Sequence, residues 1–295
     1  MPSPEHRAIV AAILAQPKPD SPPSVEESRA GMEAMTAGFA VPDDVSVEKV
    51  DAGGVPSAWV AAPGARDDVA VLYLHGGGYM MGSVKTHTEL ASRVSRASAA
   101  RVLVIDYRLA PENPFPAAVE DAVASYRWLG EQGFARERIV IAGDSAGGGL
   151  TLATLAALSE ASEPLPAAAV CLSPFADLEG TGQSYQTADD PLITAEAVHG
   201  MAAAYLQGQD MRQPTASPLY ADYSGFPPLL IQVGTRELLL DDSTRVAQRA
   251  RDAGVDVTLE EGEGLIHVWQ LLGPNVPESV EAVDRIGAFV RKHTS

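Results

Sequence analysis

Short apolar runs alternate with longer amphipathic stretches along most of the 295-residue chain. The runs are four to six residues long and rich in β-branched side chains, which indicates strands buried on both faces. The alternation predicts an α/β fold, with a mostly parallel sheet covered by helices on both sides. Strands are predicted at 69–74, 102–105, 139–142, 167–172, 228–233 and 255–259, and helices at 88–99, 117–129, 146–159, 242–253 and 277–290.

The pattern before residue 69 is different. Residues 45–50 alternate apolar and polar positions, residues 57–60 extend again, and Gly53-Gly54 lies between them. Two extended stretches around a glycine turn predict an antiparallel hairpin, which brings the sheet to eight strands.

Two helices are predicted in front of the hairpin, at 8–15 and 25–37. Ser24 is placed to cap the second helix, and Glu27 completes a capping box. Prolines between the helices predict turns, at Pro17, Pro19, Pro22 and Pro23.

A long interval of 55 residues separates the strands at 167–172 and 228–233. A structureless loop of that length is unusual, and a helix is predicted within it at 195–205. We therefore expect an α/β core over 46–295 with a cap insertion at about 180–215. Residues 1–45 would form the N-terminal part of the same cap.

The charge and composition of the chain argue against some classes of binding partner. The formal net charge of −18 repels phosphate backbones and anionic membranes, which argues against both as partners. No apolar run approaches the ~20 residues needed to span a bilayer, and the stretch at 8–15 is a poor signal peptide. We expect a cytoplasmic protein in which the lone Cys171 is a buried, inert thiol.

The first motif with chemical content is Gly143-Asp144-Ser145-Ala146-Gly147, a match to G-x-S-x-G. A predicted strand comes directly before it and a predicted helix directly after. That context is typical of a nucleophile elbow, in which a sharp turn exposes the serine hydroxyl. Ser145 is the predicted nucleophile.

The second motif is His75-Gly76-Gly77-Gly78, which follows the strand at 69–74. Consecutive glycines expose backbone N–H groups, which can stabilise an oxyanion. Gly77, Gly78 and Ala146 are the predicted donors, and His75 is expected to be structural. A phosphate-binding loop is disfavoured because the Lys-Ser/Thr of a P-loop is missing.

A nucleophilic serine needs a histidine base that follows it in the chain. The candidates are His199, His267 and His293. His267 is predicted, because it lies in the loop after the last strand.

The acid that orients the base is left open between two residues. Glu237 is nearest to the carboxyl end of the strand at 228–233, and Asp241 lies farther on. Asp241 and Asp242 also resemble the start of a helix, where aspartate is common as a cap. Glu237 is preferred, with Asp241 as the alternative.

Together these motifs resemble the hormone-sensitive-lipase-like family (family IV) of bacterial carboxylesterases, which has the α/β-hydrolase fold. The resemblance covers the chain from about residue 45 onward. It rests on three segments: His75 to Tyr79, Asp106 to Ala117, and Gly143 to Gly148. It supports Glu237 as the acid, although the usual Asp-Pro-Leu of the family is absent. Asp106, Tyr107 and Arg108 are expected to belong to the scaffold rather than to the active site.

The expected activity is the hydrolysis of small esters through an acyl-enzyme, without a cofactor or a metal. The resemblance implies a preference for short-chain acyl groups, and a homodimer is considered because many members form one. Hydrolysis of amide, thioester or carbamate bonds with the same triad remains an alternative. A non-catalytic ligand receptor is considered because fold does not determine function, but it is a distant alternative because the serine, the acid candidates and the histidine are all present.

Overall fold

The computed structural model describes residues 1–16 and 23–295, and the turns predicted at Pro17, Pro19 and Pro22 lie outside them. Short 3₁₀ turns occur at Arg136–Arg138, Pro218–Tyr220 and Trp269–Leu272. The strands are β1 (Ser46–Asp51), β2 (Pro56–Ala61), β3 (Arg66–Leu74), β4 (Ala100–Ile105), β5 (Ile139–Asp144), β6 (Ala168–Leu172), β7 (Leu229–Gly234) and β8 (Val257–Gly262). The helices are α1 (Pro4–Leu14), α2 (Val25–Thr36), α3 (Val84–Ser98), α4 (Ala117–Glu131), α5 (Ala146–Glu160), α6 (Ser184–Thr187), α7 (Ala195–Leu206), α8 (Leu240–Asp252) and α9 (Pro277–His293).

The strands form one eight-stranded sheet in the order β1-β2-β4-β3-β5-β6-β7-β8. The hairpin β1–β2 pairs antiparallel with itself and with β4, and all other neighbours are parallel. The predicted α/β fold with a mostly parallel sheet is therefore confirmed.

The core lies on both faces of this sheet. Along β3, Leu72 and Leu74 belong to the cluster that packs under α4 and α5, whereas Val71 and Tyr73 belong to the cluster formed with α3 and α9. Both faces are apolar because both are covered, which is why the central strands are continuous apolar runs. Cys171 is fully buried in β6, where burial raises the pKa of its thiol.

Several predicted boundaries differ from the structure by a few residues, and those of α3 and β8 show why. α3 begins at Val84 rather than at residue 88, because Ser83 and Thr86 form a capping box that the apolar pattern does not reveal. β8 begins at Val257 rather than at residue 255. Val255 is apolar because it packs into the core in the turn after α8, where its N–H donates to Ala250 O at 3.0 Å.

The segments outside the core lie near the carboxyl ends of the parallel strands. α2 begins with the predicted capping box of Ser24 and Glu27 and contacts α3. The insertion between β6 and β7 contains α6 and α7, and Tyr205 of α7 stacks on Tyr79 with 3.9 Å between ring centroids. Among the described residues, none of the helices has the length and apolar character needed to cross a bilayer.

Candidate active site

Ser145 lies in the sharp turn between β5 and α5. Its φ and ψ are 52° and −119°, a conformation that residues with a side chain rarely adopt. Its N–H donates to Leu172 O at 2.8 Å, and its carbonyl accepts from Phe175 N at 2.9 Å and from Gly149 N at 3.0 Å. These bonds hold the strained turn in place and leave Ser145 partly exposed.

Two glycines of the motif make this turn possible. A Cβ on Gly147 would collide with the carbonyl oxygen of Leu74, and one on Gly143 would collide with that of Gly147. Because neither has a side chain, the N-terminus of α5 comes close to the end of β3 and to the loop that follows it.

His267 lies in the loop after β8, between a hydroxyl and a carboxylate. Its Nε2 is 3.0 Å from Ser145 Oγ, and its Nδ1 is 2.8 Å from Glu237 Oε2. A carboxylate only accepts, so Nδ1 carries the proton and Nε2 presents its lone pair to the serine. Three predicted residues from three separate loops thus form one hydrogen-bonded chain.

Glu237 is completely buried just beyond β7. Oε1 accepts from Gly234 N at 2.6 Å and from Ser173 Oγ at 2.7 Å, while Oε2 faces His267. Ser173 directly follows β6, and no sequence motif marks it.

The alternative acid lies elsewhere. Asp241 is in the first turn of α8, and its Oδ2 accepts from Ser184 N of the insertion at 2.9 Å. The carboxylate of Asp242 accepts from Ala176 N and Asp177 N at 2.9 and 2.8 Å. Both were expected as helix caps, but within the described residues neither caps α8; instead they hold the segment that leaves β6.

The electrostatic environment of His267 favours its charged form. Burial alone lowers the pKa of an imidazole, but the hydrogen bond and charge of Glu237 outweigh it, so the pKa of His267 is above its usual 6.5. Asp190 and Asp144 act in the same direction from farther away.

The loop after β3 presents backbone donors. Gly77 and Gly78 have φ values of 119° and 61°, in the left-handed region that favours glycine. Among the described residues, the N–H groups of Gly77, Gly78 and Ala146 donate to no protein acceptor. The loop is fixed next to the elbow, because Gly76 N donates to Asp144 Oδ1 at 3.1 Å.

A buried polar cluster supports this loop from below. Asp144 also accepts from Tyr73 Oη at 2.9 Å and lies 3.3 Å from His87 Nε2. Burial acts to raise the pKa of this carboxyl, but these partners hold it below its usual value. Tyr107 stacks on His75 with 4.2 Å between centroids and donates to its carbonyl at 2.7 Å.

His75 is therefore structural, as expected, and burial lowers its pKa to about 3. Asp106 and Arg108 also lie in the scaffold: Asp106 accepts from Val84 N at 2.6 Å, and Arg108 pairs with Asp121. His87 carries no motif and was not predicted from the sequence.

Two helices lie over the loop at 75–78, which we call the oxyanion loop after its predicted role. Arg29 of α2 donates to Met80 O at 2.8 Å and to Ala110 O at 3.2 Å, and it forms a bidentate pair with Glu112. Met201 of α7 lies so close to Gly78 that a Cβ there would collide with its sulfur.

The remaining candidate histidines are elsewhere in the fold. His199 is on α7, stacked with Tyr185 at 6.1 Å, and His293 ends α9. Within residues 1–16 and 23–295, we find no cluster of three or more His, Cys, Asp or Glu side chains that could hold a metal ion.

Known proteins resemble this chain over most of its length. A family model described as an alpha/beta hydrolase fold matches residues 71–271. An acetyl-hydrolase of Streptomyces hygroscopicus is 49% identical over 247 residues, which are 83% of this chain and 82% of the relative.

Solved structures extend the likeness to the whole chain. An esterase described as belonging to the bacterial hormone-sensitive lipase family is 48% identical, with a TM-score of 0.96 and 100% of each chain covered. EstE5, in a crystal soaked with p-nitrophenyl butyrate, is 45% identical, with a TM-score of 0.95 and 99% of each chain covered. With this fold and these likenesses, the chain belongs to the α/β-hydrolase fold family and, within it, to the bacterial hormone-sensitive lipase family of carboxylic ester hydrolases.

Proposed function

We propose that this protein is a serine carboxylesterase that cleaves short-chain esters through an acyl-enzyme, with Ser145 as nucleophile, His267 as general base and Glu237 as the orienting acid. The observation that carries the proposal is the hydrogen-bonded chain from Ser145 Oγ through both imidazole nitrogens to Glu237, at 3.0 and 2.8 Å. In this arrangement the imidazole removes the serine proton as the ester bond is attacked.

In the first step, His267 Nε2 takes the proton of Ser145 as Oγ adds to the ester carbonyl carbon. The carbonyl oxygen becomes an oxyanion, for which the N–H groups of Gly77, Gly78 and Ala146 are the proposed donors. The imidazolium then gives its proton to the alkoxide oxygen as the carbon–oxygen bond breaks, and the alcohol leaves.

In the second step, a water molecule takes the place of the alcohol. His267 removes one of its protons, and the hydroxide adds to the acyl carbon. The collapse of this intermediate releases the carboxylic acid and returns the proton to Ser145. Glu237 keeps the Nδ1 proton in place throughout and stabilises the imidazolium that forms in each step.

The proposed substrates are small, with a short acyl chain. The acetyl-hydrolase of Streptomyces hygroscopicus and the EstE5 crystal soaked with p-nitrophenyl butyrate support this size. Residues 1–45 and 180–215 are proposed to form a cap over the site, which the contacts of Arg29 with Met80 and of Met201 with Gly78 support.

The test is a series of p-nitrophenyl esters from acetate to palmitate, measured with the wild type, Ser145→Ala and His267→Ala. We expect activity to be highest for esters with short acyl chains. Ser145→Ala should lower turnover by about 10⁶-fold, as removal of the nucleophile does in another serine hydrolase triad. His293→Ala is the matched control for His267→Ala, because His293 lies at the end of α9, away from Ser145.

Wild-type activity in Ser145→Ala would show that Ser145 is not the nucleophile. If the wild type hydrolyses none of the esters, the proposal that it is a carboxylesterase is wrong. A panel of amide, thioester and carbamate substrates would then identify the bond that is cleaved.

A further inference from the structure

Ser173 connects the two loops that carry the proposed acid and base. It directly follows β6 and is completely buried. Its Oγ donates to Glu237 Oε1 at 2.7 Å and accepts from the N–H of Val268 at 3.3 Å. Because Val268 is the residue after His267, one hydroxyl touches the acid side chain and the backbone of the base loop.

The backbone at both ends of this connection is unusual. Ser173 and Val268 have φ values of 46° and 48°, although both carry side chains, and valine is β-branched. Conformations of this kind persist only where the surroundings impose them, and they concentrate at functional sites. The strand pairing does not account for the hydroxyl, since the β6–β7 ladder continues through Ser173 N to Gln232 O at 2.7 Å.

A serine hydroxyl suits this position because it donates one hydrogen bond and accepts another. Oε1 of Glu237 has one further donor, Gly234 N at 2.6 Å, and its Oε2 faces His267. Glu237 would therefore keep one bond that holds it in place if the hydroxyl were removed.

Among the described residues, three carboxylates act on the charge of His267: Glu237 after β7, Asp190 in the insertion and Asp144 at the end of β5. Only Glu237 is hydrogen-bonded to the imidazole, whereas Asp190 accepts from Leu238 N at 3.0 Å and Asp144 belongs to the cluster beneath the oxyanion loop. Ser173 can therefore affect His267 through Glu237 and through the backbone of Val268.

We propose that Ser173 is a positioning residue of the active site: its hydroxyl aligns Glu237 with the His267 loop and draws part of the carboxylate charge away from the imidazole. This inference rests on the proposed triad.

The expected effect of Ser173→Ala has a definite sign. Without the hydroxyl, Gly234 N still holds Oε1, but more of the negative charge acts on the Nδ1 proton. The imidazolium is then more stable, so His267 titrates at higher pH, by about one pH unit. At pH 7, we expect kcat to fall up to about tenfold because less of the base is neutral, and KM to stay unchanged because the completely buried Ser173 hydroxyl presents no surface to a substrate.

Ser95→Ala is the matched control. The Ser95 hydroxyl is also completely buried, donates to Ala100 O at 2.7 Å and accepts from Ala62 N at 3.0 Å, but it belongs to the last turns of α3, next to the start of β4 and the end of β2, rather than to the site. It measures what the loss of a buried serine hydroxyl does to the fold alone. If Ser173→Ala fails to fold, Ser173→Gly removes the same hydroxyl and suits the positive φ.

The titration is measured by NMR on the imidazole of His267 in protein with labelled histidine, with His267→Gln to assign the signal. We expect an upward shift in Ser173→Ala and Ser173→Gly, and none in Ser95→Ala. If His267 titrates in the Ser173 variants as in the wild type, the proposal is wrong. The NMR result does not depend on hydrolysis, so it stands apart from the Ser145→Ala test of the proposed function.

Discussion

Two opposing effects act on the charge of the His267 imidazole. It is buried, which disfavours the imidazolium, but Glu237 bonds to Nδ1 and favours it more strongly. The proposed mechanism needs the neutral ring before the serine proton is removed, and the charged ring immediately afterwards. The carboxylate of Glu237, 2.8 Å from Nδ1, stabilises the charged ring, but it also keeps the ring protonated and inactive at acidic pH.

The pH dependence of kcat/KM follows from this balance. Because the pKa of His267 is raised above 6.5, the base is protonated and inactive at lower pH. We expect activity to rise with pH and to reach half of its plateau above pH 6.5, in a profile recorded from pH 5 to 9 with p-nitrophenyl butyrate. A flat profile would argue against a histidine base.

The choice of acid can be tested with a pair of amide substitutions. Glu237→Gln keeps the shape of the side chain but lets an amide face Nδ1, which allows the wrong tautomer; we expect kcat to fall by about 10⁴-fold, as in a serine protease triad. Asp241→Asn should leave kcat near wild type, because an amide oxygen can still accept from Ser184 N. The opposite ranking in kcat would identify Asp241 as the acid.

At the scale of elements, α2 is held differently from the helices of the core. The structure describes all twelve of its residues, and none is buried. Its attachment depends on polar contacts, mainly those of Arg29 with Met80 O, Ala110 O and Glu112. Met80 closes the turn after the oxyanion loop, since its N–H donates to Gly77 O at 3.1 Å. α2 therefore holds the loop from outside the core.

Arg29→Ala should weaken catalysis more than its exposed position suggests. Loss of the Met80 contact frees the turn that supports Gly77 and Gly78, and small displacements of catalytic groups can cost about 10²-fold in rate. We expect kcat/KM for p-nitrophenyl butyrate to fall about 10–100-fold, and protease cleavage within residues 25–36 to become faster.

Lys85→Ala is the comparison for Arg29→Ala. It removes the exposed pair with Glu33, which also ties α2 to the core but does not touch the oxyanion loop. Exposed pairs contribute roughly 0–1 kcal/mol, so little change is expected. Equal losses of kcat/KM in both variants would show that Arg29 only anchors the helix.

At the scale of the whole molecule, Asp242 joins α8 to the segment that leaves β6. It is completely buried, and burial raises the pKa of its carboxyl to about 8, even though two backbone N–H groups donate to it. The folded protein therefore keeps a proton on Asp242 that the unfolded chain releases. This contribution to stability is fully present below pH 3.8 and is lost as the pH rises toward 8.

Asp242→Asn should change the pH dependence of the melting temperature. An amide resembles the protonated acid and does not titrate, so the variant lacks the loss of stability between pH 4 and 8. We expect the Tm of the variant minus that of the wild type to increase by several degrees from pH 5 to pH 8, measured by calorimetry. A constant difference over this range would mean that Asp242 is ionised in the folded protein.

The sequence was most informative where local rules apply. Apolar runs predicted the central strands because each is buried on both faces, and Ser24 with Glu27 predicted the start of α2 because a capping box is local. The same reasoning failed at Val255, whose apolar character serves the core rather than a strand.

By itself, the sequence determined the family, the order of strands and helices, and the candidates Ser145, His267, Gly77, Gly78 and Ala146. The motifs could be identified because each is a short local segment at the end of a strand. They could be assigned to one site because parallel strands bring their carboxyl ends to the same edge of the sheet.

Only the tertiary structure decided which of Glu237 and Asp241 faces His267, and that Ser173, Arg29 and His87 surround the site. Those contacts join segments dozens of residues apart, and they depend on side-chain direction in the folded chain. Glu237 and Asp241 are close together in the sequence, in the segment between β7 and the first turn of α8, so their positions alone could not distinguish them.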